Sequence, residues 1–125
     1  VRIDGLWKTT CFEAFVKPAG KAGYCEFNFA PSGAWAAYRF AGYREGMDDL
    51  PMASIPAIKT TANESHFVLE ALFELVPEHS GREVRLAVTA VIEEANGTKS
   101  YWSLAHPQDS PDFHHPDCFT LTLPA

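Results

Sequence analysis

The sequence predicts an all-β fold, an antiparallel β-sandwich, and three observations carry that expectation. Residues 24–29, Tyr-Cys-Glu-Phe-Asn-Phe, alternate polar and apolar side chains, the period of a strand with one buried face. Further short runs of β-branched and aromatic residues follow, separated by proline, glycine and asparagine turn signals. The strand-helix alternation of a doubly wound α/β enzyme is missing.

Taken in order, residues 1–10 read as a loop, with the turn pair Asp4-Gly5 ahead of Leu6-Trp7. Residues 10–17 read as a strand in which Glu13 stands among apolar neighbours, and the proline and glycines of 18–23 end it. In the strand 24–29, Cys25, Phe27 and Phe29 take the core face and Tyr24, Glu26 and Asn28 the other, where chemistry can sit. Pro31-Ser32-Gly33 turns the chain into a second strand from Ala34. This hairpin can pair in either of two registers, and a slip of one residue flips every side chain of the second strand. We favour Asn28 opposite Trp35 and Tyr24 opposite Arg39, because a guanidinium buried without a partner is costly. That register places Trp35 and Arg39 on the outer face beside Glu26.

Residues 42–52 read as a loop carrying Tyr43, Arg44 and Asp48-Asp49, and Pro51 and Pro56 disfavour a helix there. Residues 65–76 fit a strand or a helix, since Phe67, Leu69, Ala71, Phe73 and Leu75 alternate while Glu70 and Glu74 sit at helical spacing; Pro77 ends the segment either way. Residues 84–94 are rich in β-branched side chains and lie between Gly81 and Asn96-Gly97, a strong hairpin signal leading into a strand over 99–104. Residues 106–116 form a loop bearing prolines and histidines, and 118–123 a closing strand.

At 125 residues the chain fits a single domain, 1–125, with one core. Its 16 Asp and Glu against 10 Lys and Arg give a formal charge of −6, which argues against nucleic acid or an anionic membrane surface as partner. No apolar run approaches the roughly 18 residues of a spanning helix. The chain begins at Val1, so it is expected to be processed or an excerpt, and its compartment stays open. Cys11, Cys25 and Cys118 cannot all pair within the chain; buried thiols are expected, which leans towards the cytoplasm. Asn63-Glu64-Ser65 and Asn96-Gly97-Thr98 match the glycosylation pattern, which has meaning only in a secretory eukaryotic host.

The common catalytic motifs are absent: no P-loop, no G-x-S-x-G, no H-E-x-x-H and no paired C-x-x-C. The best metal candidate is the loop 112–117 with His106 upstream, but adjacent histidines point apart and no second cluster supports them. No metal and no cofactor is therefore expected. Glu13 either bonds a ligand or faces solvent from an open sheet. Glu13 and Glu26 could form the carboxylate pair of a glycoside hydrolase only at a set separation across a cleft. Trp7, Trp35, Trp102, Tyr24, Tyr38, Tyr43 and Tyr101 read as core, or as rings that stack a sugar whose hydroxyls bond to nearby polar groups.

The runs LWKTTCFEAF from Leu6, YCEFNFAPSGAW from Tyr24, FVLEALFEL from Phe67, VRLAVTAVIEE from Val84 and YWSLAHPQDSPDFHHPDCFTLTL from Tyr101 resemble the DOMON-like domains related to family 9 carbohydrate-binding modules, most nearly a bacterial DOMON-like subgroup of small proteins. The likeness spans nearly the whole chain, and its closing pattern, a tryptophan followed by Phe-His-x-Pro-x-x-Phe, is fairly specific. It implies a sandwich of two antiparallel sheets with a ligand site on or beside one of them, and a strand over 65–73. Members usually carry strands ahead of the Leu-Trp motif, so the resemblance implies that the first strands are lacking here. An exposed edge and apolar face then imply self-association or a companion N-terminal segment. Trp7 and Glu13 match the first tryptophan and the acidic residue of the sugar-binding relatives; Trp102 is either the second stacking ring or the buried tryptophan of the closing motif. Haem-binding relatives use methionine and histidine, whereas Met47 and Met52 fall in a loop.

The expectation is a non-catalytic module, not an enzyme, that binds a carbohydrate or carbohydrate-like polar metabolite. Trp7 and Trp102 are expected as stacking surfaces, Glu13, Glu26 and Asn28 as hydroxyl partners and Arg39 as a fork donor. The alternatives are a protein-interaction or assembly domain and, with less support, a haem-binding redox domain.

Overall fold

The computed structural model describes residues 1–52, 54–74, 82–103 and 112–124. The expectations placed on Leu75, Pro77, Gly81, Leu104 and His106 lie outside these residues. Among the described residues there are nine strands: β1 (Cys11–Pro18), β2 (Tyr24–Phe29), β3 (Trp35–Phe40), β4 (Asp48–Asp49), β5 (Ala57–Ala62), β6 (Phe67–Leu72), β7 (Val84–Glu93), β8 (Lys99–Ser103) and β9 (Leu121–Leu123). Short 3-10 turns occupy Leu6–Lys8 and Pro116–Cys118. The fold is all-β, and every strand pair is antiparallel.

One sheet holds seven strands in the order β4-β3-β2-β1-β7-β8, with β9 also pairing with β7. The length of β7 makes this possible: Val84 to Leu86 face β9, and Thr89 to Glu93 face β8. β5 and β6 form a separate hairpin that packs as a second layer on one face of the large sheet. Ile58, Leu69, Ala71 and Phe73 of that layer cover Val16, Cys25, Phe27, Phe29, Ala37 and Leu50. Phe27 and Phe15 are fully buried, each stabilising the fold by about 1.5–3 kcal/mol through removal from water. The ambiguous segment 65–76 is a strand over Phe67–Leu72, and its alternation carries Leu69, Ala71 and, just past its end, Phe73 together onto the sheet.

The opposite face carries a second apolar cluster of Phe15, Tyr24, Tyr38, Phe40, Ala87 and Val91, closed over by Phe113, Cys118 and Phe119 from the C-terminal segment and by Leu6. β2 is therefore buried on both faces rather than half open. Cys11, Cys25 and Cys118 are all buried thiols.

The hairpin register differs from the expected one. Phe29 pairs with Trp35, Cys25 with Arg39 and Tyr24 with Phe40. The cause is the turn: Gly33 takes φ 91°, closing a three-residue loop in which Ala30 and Ala34 are the last bonded pair at 2.9 Å. Trp35 is consequently buried on the face that receives the second layer. Arg39 points to that same side, yet it lies near the strand end beside Asp48 of β4 and stays exposed, so the penalty that weighed against this register does not arise.

Candidate functional site

Three neighbouring strands aim polar side chains at one point beneath the C-terminal segment. Glu13 of β1 lies directly opposite Asn28 of β2 and Thr89 of β7, while Glu26 lies opposite Phe15 and Tyr38. Alternation puts all of these on one face, and it makes the two glutamates diagonal neighbours across adjacent strands. Both are buried, at 5% and 4% exposure, and Thr89 Oγ1 donates to Glu13 Oε1 at 3.1 Å. Asn28 is wholly buried beside them. It lies close enough to Glu26 to favour the ionised form, yet neither amide atom reaches hydrogen-bond geometry with any described residue.

Two carboxyls this close and this dry cannot both ionise at ordinary pH. Burial, then the Glu26 charge, then the hydrogen bond between the two push Glu13 well above the usual carboxylate range. Burial also raises Glu26, with Glu13, Asn28 and Arg44 opposing. Of the two, Glu13 is pushed further towards the protonated form, hydrogen-bonded to Glu26, and the pair titrates as a unit.

Above the pair opens a cavity of about 390 Å³. Phe15, Phe40, Val91 and Phe113 supply apolar walls, and Trp7, Met47 and Tyr101 form a part-exposed rim. His114 projects from the C-terminal segment with its ring edge-on to Phe15 and Phe40, at centroid distances of 5.0 and 4.9 Å. Its Nδ1 lies 2.7 Å from the Tyr24 hydroxyl and its Nε2 3.4 Å from Glu26 Oε1. The Tyr24 oxygen also accepts the Arg44 backbone N–H at 3.1 Å, and a neutral ring that takes the Tyr24 proton at Nδ1 presents Nε2–H to Glu26. Burial, reinforced by the Arg44 charge, lowers the His114 pKa to about 4, so the ring is neutral.

Arg44 reaches the cavity from a tight turn in which it adopts φ 53°, a left-handed conformation that is strained for a side chain of this kind. Its guanidinium forks onto Asp112 Oδ1 through Nη2 at 2.6 Å and Nε at 3.2 Å, and Tyr43 donates to the other oxygen. Burial alone would raise Asp112, but these donors outweigh it and hold the carboxyl below its ordinary value. Among the described residues no group of three or more His, Cys, Asp or Glu side chains is arranged to hold a metal ion.

Four of the six residues expected at the site come together: Trp7 on the rim, Glu13 and Glu26 at the base, and Asn28 behind them. Two do not. Arg39 shares the face of Cys25, and Trp102, opposite Ala90 of β7 and 63% exposed, also projects from the far side of the sheet. Period-2 alternation decides both: Tyr101, not Trp102, shares the face of Val91 and the cavity. The guanidinium at the cavity comes instead from Arg44. His114, weighed in the sequence as a metal ligand, is an internal hydrogen-bonding residue; its place between the two phenylalanines of the Phe-His-x-Pro-x-x-Phe pattern was the available signal. No family model matches the chain, and no curated protein or solved structure matches it.

Proposed function

We propose that this domain is a non-catalytic binding module for a small polar ligand with one apolar side, a saccharide or saccharide-like metabolite being the class that fits first. One observation carries the reading: a buried carboxyl pair with an unsatisfied amide beside it lies at the base of a cavity walled by aromatic rings. The volume of about 390 Å³ falls in the lower part of the range for small-molecule sites. Carboxyl oxygens accept hydroxyl donors, and ring faces take the C–H side of a pyranose. The resemblance to DOMON-like and family 9 carbohydrate-binding domains points the same way. Calorimetric titration with mono- and oligosaccharides tests it, with Trp7→Ala as control. Binding that weakens in the variant supports the reading, and no heat with any sugar, or unchanged binding in the variant, overturns it.

A second reading rests on the far face. The β5–β6 layer covers the β1 to β3 side of the sheet and leaves Val88, Trp102, Leu121 and Leu123 exposed along β7, β8 and β9. A strip of this kind suits burial against a second copy of the chain. Light scattering across a concentration series checks it: a strict monomer at high concentration rejects assembly. The haem alternative gains nothing from this site, because both ring nitrogens of His114 face protein groups.

A further inference from the structure

We propose that the ligand group seated on Glu13 and Glu26 is a protonated amine, and that its binding displaces the proton the two carboxyls share. This rests on the small-ligand reading above and names the chemistry of the same site. The starting point is charge balance around the pair. Cys11 of β1, Tyr24 of β2 and Tyr38 of β3 face it as neutral groups, burial raising the pKa of each. Tyr38 donates to Asp4, a further negative group, at 2.8 Å. From β7 comes only the Thr89 hydroxyl, and from the C-terminal segment a neutral His114. Among the described residues the one guanidinium at the cavity, Arg44, is already forked onto Asp112. Among the described residues, the pair thus keeps a negative charge without a dedicated cation of its own, although both carboxyls are buried.

A buried carboxylate left in that condition is costly, and the cost falls when a cation arrives. A sugar hydroxyl supplies one donor and no charge. An ammonium supplies three donors and a full charge, enough to bond both carboxylates and to place its carbon framework against Phe15 and Phe40, whose ring faces attract cations. The exchange balances: the ammonium keeps its proton, the pair loses its shared one to the buffer and goes from one negative charge to two, and the occupied site returns to a net charge of minus one. Affinity therefore rises with pH while the pair still holds its proton, by up to about tenfold per pH unit.

The test is calorimetry on the intact chain at about pH 6 and about pH 7, in two buffers of different ionisation enthalpy, with glucosamine, glucose, N-acetylglucosamine and cyclohexylamine as probes. The expected result is that glucosamine binds at least about tenfold more tightly than glucose or N-acetylglucosamine, with about one proton released per site. Equal binding of the three sugars without proton release overturns the amine inference and leaves the saccharide reading standing. Binding of cyclohexylamine with proton release but of no sugar keeps the amine and overturns the saccharide. Absence of heat with all four overturns both. Glu13→Gln, once shown to be folded by circular dichroism, is expected to abolish the proton release; if it does not fold, the proton count on the unmodified chain decides.

Discussion

Replacing His114 with glutamine gives a protein whose stability responds to pH differently from the original, and the size of the difference follows from the site. The folded imidazole titrates at about 4 against an ordinary value of 6.5, a gap worth about 3 kcal/mol. Between those values the unfolded chain binds a proton that the folded chain refuses. The contribution is therefore complete above pH 6.5 and is lost as pH falls towards 4. The glutamate pair works in the opposite sense, since raised carboxyl pKa values add stability at low pH that disappears as pH rises. Subtracting the His114→Gln curve from the original removes that shared background. Urea unfolding at intervals from about pH 7 to about pH 4.5 measures both proteins. The gap between them should change by about 2 kcal/mol or more across that span, the original losing ground on acidification. A gap that stays constant would refute the buried, neutral assignment of His114.

Glu13→Gln should stay within about 1 kcal/mol of the original at neutral pH, because an amide accepts from Thr89 and donates to Glu26 as the protonated acid does; Glu13→Ala orphans Thr89 and opens a void, costing about 2–4 kcal/mol in denaturant melts. Equal losses in the two variants would contradict the shared proton. Arg44→Ala should move the His114 titration upward in NMR, since the guanidinium charge helps to hold it low; a downward movement would be inconsistent with this geometry. Gly46→Ala should destabilise by about 2 kcal/mol or more, because φ is 67° and a Cβ there would meet the Ala41 Cβ at 2.7 Å; a thermal midpoint matching the original would count against the turn as described.

What the sequence made legible was whatever depends on local period. The alternation in residues 24–29 placed Glu26 and Asn28 opposite the Phe27 and Phe29 face, and Asn96-Gly97 marked the β7–β8 hairpin. Glu13 stood out because a carboxylate among apolar strand residues needs a reason, and the reason is its position across from Asn28 and Thr89. The β2–β3 register was not legible, since Ala30 and Ala34 suit either pairing and the conformation of Gly33 decides. That single step moved Trp35 and Arg39 to the far face. Strand β5 escaped notice because residues 57–62 show little contrast between faces: one side meets the second-layer core through Ile58 alone, and most of the strand is exposed. Arg44, Asp112 and His114 converge only because the turn after β3 and the C-terminal segment close over the same sheet face, a long-range event with no local signature. For the same reason Tyr101 and Trp102 could not be told apart before the pairing of β8 with β7 was known.

The indole N–H signals of Trp7 and Trp102 report on opposite faces of the large sheet, one at the cavity rim and one on the exposed strip. Following both by NMR during titration with glucosamine and a neutral sugar series tests whether the carboxyl-based cavity is the binding site. The account predicts that the Trp7 signal moves with saturation while Trp102 stays in place. Movement of Trp102 with a stationary Trp7 would contradict it.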